Sequence, residues 1–210
     1  MRILLILFIF LFSYTSYSQT AEEYFNSGLE KMKNGDFSDA IEDYTKAIEL
    51  DPNYADAYIN RGIAKGKLRD FSGSIEDYTK AIELNPNFAY PYITRGWSKN
   101  ILKDYYGAIV DFNKAIELDT NDDDAYYNRG RSKHSLKDHS GAIADYTKAI
   151  ELSPSSHSYN NRGDAKKNLG IWMVLVVTGK KLPIWDIQME NGLLISATKQ
   201  KTPHFRRAIT

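Results

Sequence analysis

The sequence predicts an all-α solenoid of helix-turn-helix units, and three observations carry that prediction. A glycine returns every 34 residues, at Gly28, Gly62, Gly96 and Gly130. A tyrosine stands four residues before each glycine (Tyr24, Tyr58, Tyr92, Tyr126), and an alanine nineteen after it (Ala47, Ala81, Ala115, Ala149), always within Lys-Ala-Ile-Glu-Leu. Inside each unit, two apolar patterns run at helical spacing on either side of a short polar turn. A period of this length describes a stack of like supersecondary units, each burying its face against its neighbours. Such a stack holds other molecules more readily than it transforms them.

Before the repeats, Arg2 is followed by an unbroken apolar run from Ile3 to Phe12, and Ser16 and Ser18 occupy the small-residue positions of a cleavage site. This is the layout of a secretory signal over residues 1–18. Ten apolar residues are too few for a membrane span, which needs about 20. The mature chain is therefore expected to start near Gln19 and to work in the periplasm, in the cell envelope or outside the cell, with no integral span.

Aligning on the glycine gives units at 21–54, 55–88, 89–122 and 123–156. In the second, Tyr58, Ile59, Gly62 and Ile63 form one helical stripe and Ile75, Tyr78, Ala81 and Ile82 the next. Arg69-Asp70-Phe71-Ser72 makes the turn between them, with Asp70 and Ser72 as candidate caps. The second helix is expected to stop before Asn85-Pro86, because a residue preceding proline is driven out of the helical region. Pro52 and Pro154 punctuate their units in the same way, whereas Thr120 leaves the third less firmly closed.

Unit position 20 is Ala40, Ser74, Ala108 and Ala142, and position 24 is Tyr44, Tyr78, Phe112 and Tyr146. Small residues at 8, 20 and 27 let two helices approach closely while the aromatics fill the space beside them. With an aromatic at position 4 and proline at 32, the pattern closely resembles the tetratricopeptide repeat. The resemblance implies a right-handed α-solenoid of about four and a half units. Two choices depart from the usual ones: arginine at position 7 (Arg61, Arg95, Arg129, Arg162) and lysine at position 11 (Lys31, Lys65, Lys99, Lys133, Lys166). Asp43, Asp77, Asp111 and Asp145 recur at position 23. A charge pair repeated in every unit belongs to the stacking, since partly buried charges demand partners.

A fifth unit opens at 157–170 with Tyr159, Asn161, Arg162, Gly163, Ala165 and Lys166, then breaks off at Ile171-Trp172-Met173-Val174-Leu175-Val176-Val177. Shifting the codons from Ile171 by one nucleotide forces Asp at that slot and Gly at 174, aligned with Asp138 and Gly141. The same frame permits the rest of a second repeat helix. Residues 171–210 are accordingly read as a frameshifted, non-repeat tail. The repeats lack a covered C-terminal end, which predicts fraying and a tendency to self-associate there.

The sequence shows no catalytic constellation. Having no cysteine excludes thiolate catalysis and Cys-ligated zinc; His134, His139, His157 and His204 show no ligand spacing and read as surface residues. Asp119, Asn121 and Asp123 mimic the start of a calcium loop, but Asp124 and Gly130 stand where the turn glycine and bidentate Glu belong. No phosphate-cradling loop is present. Neither enzyme activity, a cofactor nor a metal is expected. Residues 21–156 carry 24 acidic and 17 basic side chains, a balance unsuited to nucleic acid; the tail carries 2 and 6.

The resemblance implies instead a concave surface lined by the first helices. Position 5 gives Phe25, Ile59, Ile93 and Tyr127; position 6 gives Asn60 and Asn128 among its amides; position 9 includes Trp97, and Tyr90 stands at position 2 of the third unit. An apolar, partly aromatic track flanked by amides suits an extended or helical segment of a protein partner. Tyr90 and Trp97 are the best anchors. The lysine and arginine arrangement of relatives that clamp a C-terminal carboxylate is absent. The expected function is a non-catalytic interaction scaffold; the alternative is the accessory repeat arm of an envelope enzyme or assembly whose other domain is missing.

Overall fold

A computed structural model describes residues 19–169, 187–190 and 193–196. The expected signal segment over 1–18 and the apolar run at 171–177 lie outside the described residues, as does most of the tail. Nine helices are present among the described residues: α1 (Ala21–Asn34), α2 (Phe37–Leu50), α3 (Ala55–Lys67), α4 (Phe71–Leu84), α5 (Ala89–Ile101), α6 (Tyr105–Leu118), α7 (Asp123–Ser135), α8 (His139–Leu152) and α9 (Ser156–Asn168). Two strands, β1 (Ile187–Glu190) and β2 (Leu193–Ser196), pair antiparallel with Ile187 opposite Ser196. They give the tail one hairpin where no element was expected.

Each helix packs chiefly against the next in sequence, and α1–α3, α5–α7 and α7–α9 also touch. The chain is thus a single row of helical hairpins, with α9 a half-unit at its end. Thr20 starts the row with a reciprocal cap: it accepts from the Glu23 N–H at 3.1 Å, and Glu23 accepts from the Thr20 N–H at 3.0 Å. In later units the cap of the second helix is aspartate. Asp70, Asp104 and Asp138 accept from the N–H of Gly73, Gly107 and Gly141 at 2.9–3.0 Å. Ser72 lies inside α4 and is not a cap.

The turn within each hairpin needs one left-handed residue. Gly35 fills it in the first unit at φ 87°; Arg69, Lys103 and Lys137 fill it later at φ 64–66°. Those three accept backbone strain of about 1 kcal/mol each. The far ends of α2, α4 and α6 close on an Asx turn: Asp51, Asn85 and Asp119 accept from the N–H two residues on. This explains why α6 stops at Leu118 without a proline at Thr120. The side chain at the start of the turn already ends the helix.

The periodic glycine is explained by close approach. A Cβ on Gly28, Gly62, Gly96 or Gly130 would stand 2.6–2.9 Å from the ring of Tyr44, Tyr78, Phe112 or Tyr146. Tyr44 and Phe112 are wholly buried, and the alanines of positions 20 and 27 fill the rest of the seam. Burial drives the Tyr44 phenol up to about 12.

Candidate partner-binding groove

Two sets of residues on the first helices separate cleanly: a charged set turned inward and an apolar set turned outward on α5. The charged set repeats. Arg61 grips Asp77 with a two-pronged fork (Nε to Oδ2 3.0 Å, Nη2 to Oδ1 2.7 Å), while its Nη1 donates to Thr45 of the preceding unit at 3.0 Å. Arg95 does the same to Asp111 and Thr79, and Arg129 to Asp145 and Asn113. Lys65, Lys99 and Lys133 approach the same three carboxylates at 2.8 Å. In the first unit Ser27 and Lys31 serve Asp43, both at 2.6 Å. Burial pushes the Asp43 carboxyl up, but the Lys31 and Ser27 hydrogen bonds outweigh it and hold it below the ordinary range.

Each arginine also lies over the tyrosine one turn earlier, at 5.4–5.7 Å for Arg61, Arg95, Arg129 and Arg162. These aspartates are almost fully buried, with Asp77, Asp111 and Asp145 at 4% exposure or less. Arginine and lysine at positions 7 and 11 of the second, third and fourth units are therefore spent within the array: each fork joins two helices of one unit and its third nitrogen reaches the unit before. They offer no charged track to a ligand.

The outward set is concentrated on α5. Tyr90, Trp97 and Ile101 are 43%, 39% and 39% exposed, and they fall seven and four residues apart on one helix face. Thr94 stands between them and back-bonds to Tyr90 O at 3.1 Å. Trp97 rests edge-on against Phe71 of α4 at 5.6 Å, and Phe88 faces Tyr90 at 6.2 Å. This contact holds the indole in place while leaving its outer part open. The same four positions are Asp56, Asn60, Ile63 and Lys67 on α3, and Asp124, Asn128, Arg131 and Ser135 on α7. The apolar stripe therefore belongs to the third unit and not to the repeat.

The remaining expected groove residues are placed differently. Ile59 is 6% and Asn128 8% exposed, so neither offers a partner much surface. Ile59 turns into the core because position 5 faces the second helix. Asn128 is fixed by its own helix, donating to Asp124 O at 2.9 Å. Phe25 packs on Tyr54 at 4.9 Å and Tyr44 at 5.7 Å, and Ile93 packs on the cluster of Tyr92, Ala115 and Ala125. Tyr127 packs on Tyr146 at 5.9 Å and accepts from Asn161 at 3.0 Å. Asn60 remains half-buried, donating to Asp56 O at 2.8 Å.

Direct polar bonds stitch neighbouring first helices together beyond α5. Ser132 donates to Asn100 at 2.7 Å, and Asn168 meets His134 Nε2 at 3.3 Å. His134 is partly buried: its ring stands edge-on to His139 at 4.9 Å, and the Nδ1 atoms of both are buried without a hydrogen-bond partner among the described residues. Burial, then His139, lowers its basicity against the opposing pull of Asp164. The described residues contain no cluster of three or more metal-ligating side chains and no helix long and apolar enough to cross a membrane. Asp119 and Asp122 instead serve a turn and a cap, accepting from Asn121 at 2.9 Å and Ala125 at 2.8 Å.

Three models described as TPR repeat or tetratricopeptide repeat match the chain, over residues 28–68, over 55–88 and 123–156, and over 89–122. Together they cover the row of hairpins from Gly28 to Ser156 without a gap. The chain belongs to the tetratricopeptide-repeat family. No curated protein matches it in sequence. Among solved structures, MamA is similar at 29% identity and TM-score 0.70, covering 77% of this chain and 88% of that one. The first tetratricopeptide-repeat domain of Spaghetti, bound to the HSP90 peptide SRMEEVD, is similar at 28% identity and TM-score 0.55, covering 57% and 94%. YrrB shares the fold at 21% identity and TM-score 0.63, covering 77% and 92%.

One apolar surface escaped the sequence reading. On the tetratricopeptide-repeat helix α6, Tyr106 is 74% exposed and Val110 stands one turn on, also exposed. Other units place Ser38, Ser72 and Ser140 at the first position and Glu42, Glu76 and Ala144 at the second. Comparing units position by position, rather than looking for what recurs, would have singled these residues out. The third unit is the least polar of the array on both helices.

Proposed function

We propose that this tetratricopeptide-repeat chain is an exported, non-catalytic interaction scaffold that holds a segment of a partner protein along α5. The observation that carries the reading is the stripe of Tyr90, Trp97 and Ile101, exposed in one unit and replaced by charged, amide or small polar residues in its neighbours at most of the same positions. Aromatics held at the base and open at the tip are the side chains that most often dominate interface energetics. The Spaghetti domain, similar over just over half of this chain, binds a peptide, which supports a peptide-like ligand here. The ligand differs in charge. The first-helix basic residues at positions 7 and 11 are largely engaged by carboxylates within the array, and residues 21–156 carry net negative charge, so an apolar segment free of acidic residues fits better than an acidic tail.

Export rests on the layout of residues 1–18. Its test is N-terminal sequencing of the secreted or periplasmic product, with Gln19 expected at the start; an intact Met1 in the cytoplasm would refute it. For the groove, Trp97→Ala should weaken partner capture by roughly 1–3 kcal/mol while leaving the helical signal unchanged. Equal capture by both forms would remove α5 from the account.

A further inference from the structure

Four times along the array, a basic or polar side chain at position 7 and a lysine at position 11 of a first helix close on an aspartate of the following helix. The aromatic after that aspartate covers the position-8 glycine. Helix α9 repeats the first-helix half of this device in full. Arg162, Gly163 and Lys166 keep the spacing of Arg129, Gly130 and Lys133. Arg162 lies over Tyr159 at 5.4 Å and reaches back to Thr147 at 3.3 Å, as its counterparts reach back to the preceding unit.

The other half is missing among the described residues. A Cβ on Gly163 would meet nothing within 4 Å, against 2.6–2.9 Å at the four other position-8 glycines. Lys31 is made more basic by its bond to Asp43, whereas burial and then the charge of Arg162 make Lys166 less basic. The sequence that follows α9 cannot complete the device. At the spacing where the second helices carry a small residue, aspartate, aromatic and alanine, the chain has Leu175, Thr178, Gly179 and Leu182. Its first carboxylate beyond α9 is Asp186.

We propose that the face of α9 bearing Arg162, Gly163 and Lys166 docks an amphipathic helix supplied in trans. That helix carries an acidic residue followed by an aromatic, with small residues three before the acid and three after the ring. The specification is the one α8 meets with Ala142, Asp145, Tyr146 and Ala149 on the equivalent face of α7. The acid would take the fork of Arg162 and the ammonium of Lys166, and the ring would lie on Gly163. This site is independent of the α5 stripe. A second folded copy of the chain is a poorer occupant, because its own four aspartates are already held by their own first helices.

The test uses the full chain and a labelled synthetic peptide of residues 138–153, read by fluorescence anisotropy. Saturable binding is expected. It should weaken roughly ten- to a hundredfold when Asp145 of the peptide is changed to asparagine, the loss of a charged hydrogen-bond partner. Lys166→Met and Gly163→Leu in the chain should weaken it similarly with the circular dichroism unchanged, and Trp97→Ala should leave it alone. Four results would each overturn the proposal: no saturable binding, indifference to the aspartate, dependence on Trp97, or a self-dimer by sedimentation that excludes the peptide.

Discussion

If the periodic glycine is fixed by the ring that lies on it, one substitution made at two equivalent sites should have opposite signs. In Gly62→Ala the new Cβ stands 2.7 Å from Tyr78 Cε1 and 3.1 Å from two more ring carbons. The ring cannot swing away, because Tyr78 of α4 is buried against α3 at 4% exposure. Forcing one methyl into such a seam costs about 1–3 kcal/mol. Alanine returns about 0.5–1 kcal/mol in helix propensity, and with a buried ring atom 2.7 Å away the packing cost prevails, for a net loss of up to about 2.5 kcal/mol. Gly163→Ala meets nothing within 4 Å among the described residues and keeps only the gain. Urea unfolding followed by circular dichroism measures both. Because a solenoid need not unfold in one step, midpoints of the whole curve are compared between variants rather than a single extrapolated free energy. Equal losses at both sites, or no loss at Gly62, would refute the close-approach argument.

Other substitutions probe the ladder and the histidine pair. Arg95→Leu removes a fork from a carboxylate that is 1% exposed and leaves it to Lys99; thermal and urea melts should show a loss of about 2–4 kcal/mol, with partner capture retained at temperatures where the fold persists. Arg162→Leu, which has no carboxylate among the described residues, should cost far less in the same melts. His134 is less basic folded than unfolded, so its contribution to stability is complete above its ordinary value near 6.5 and is lost as the pH falls through that value toward the folded one. The urea midpoint should therefore drop between pH 7 and pH 5, and His134→Gln should flatten that part of the profile.

The fold was legible because its determinants are local and repeated. Gly28 through Gly130, the alanines and the aromatics each answer to one contact, and the contact recurs every 34 residues. The pairing of Arg61 with Asp77 could be anticipated for the same reason. The groove was less legible, and Ile59 and Asn128 show why. Position in a repeat tells which face a residue occupies, but not how far neighbouring side chains close over it, and here the Ser132–Asn100 and Asn161–Tyr127 bonds draw the later first helices together. The histidine pair was missed because His134 and His139 sit on different helices with no motif to join them. Tyr106 and Val110 were missed because a search for what recurs passes over what does not.

The central claim is that a partner lies along α5. Its most direct test is site-specific photo-crosslinking in the native host, with a photoreactive side chain placed in turn at Trp97, at Tyr90 and at Glu42, an exposed residue of α2. One common crosslinked species is expected from positions 97 and 90 and none from position 42. A partner captured only from position 42, or equally from all three, would contradict it.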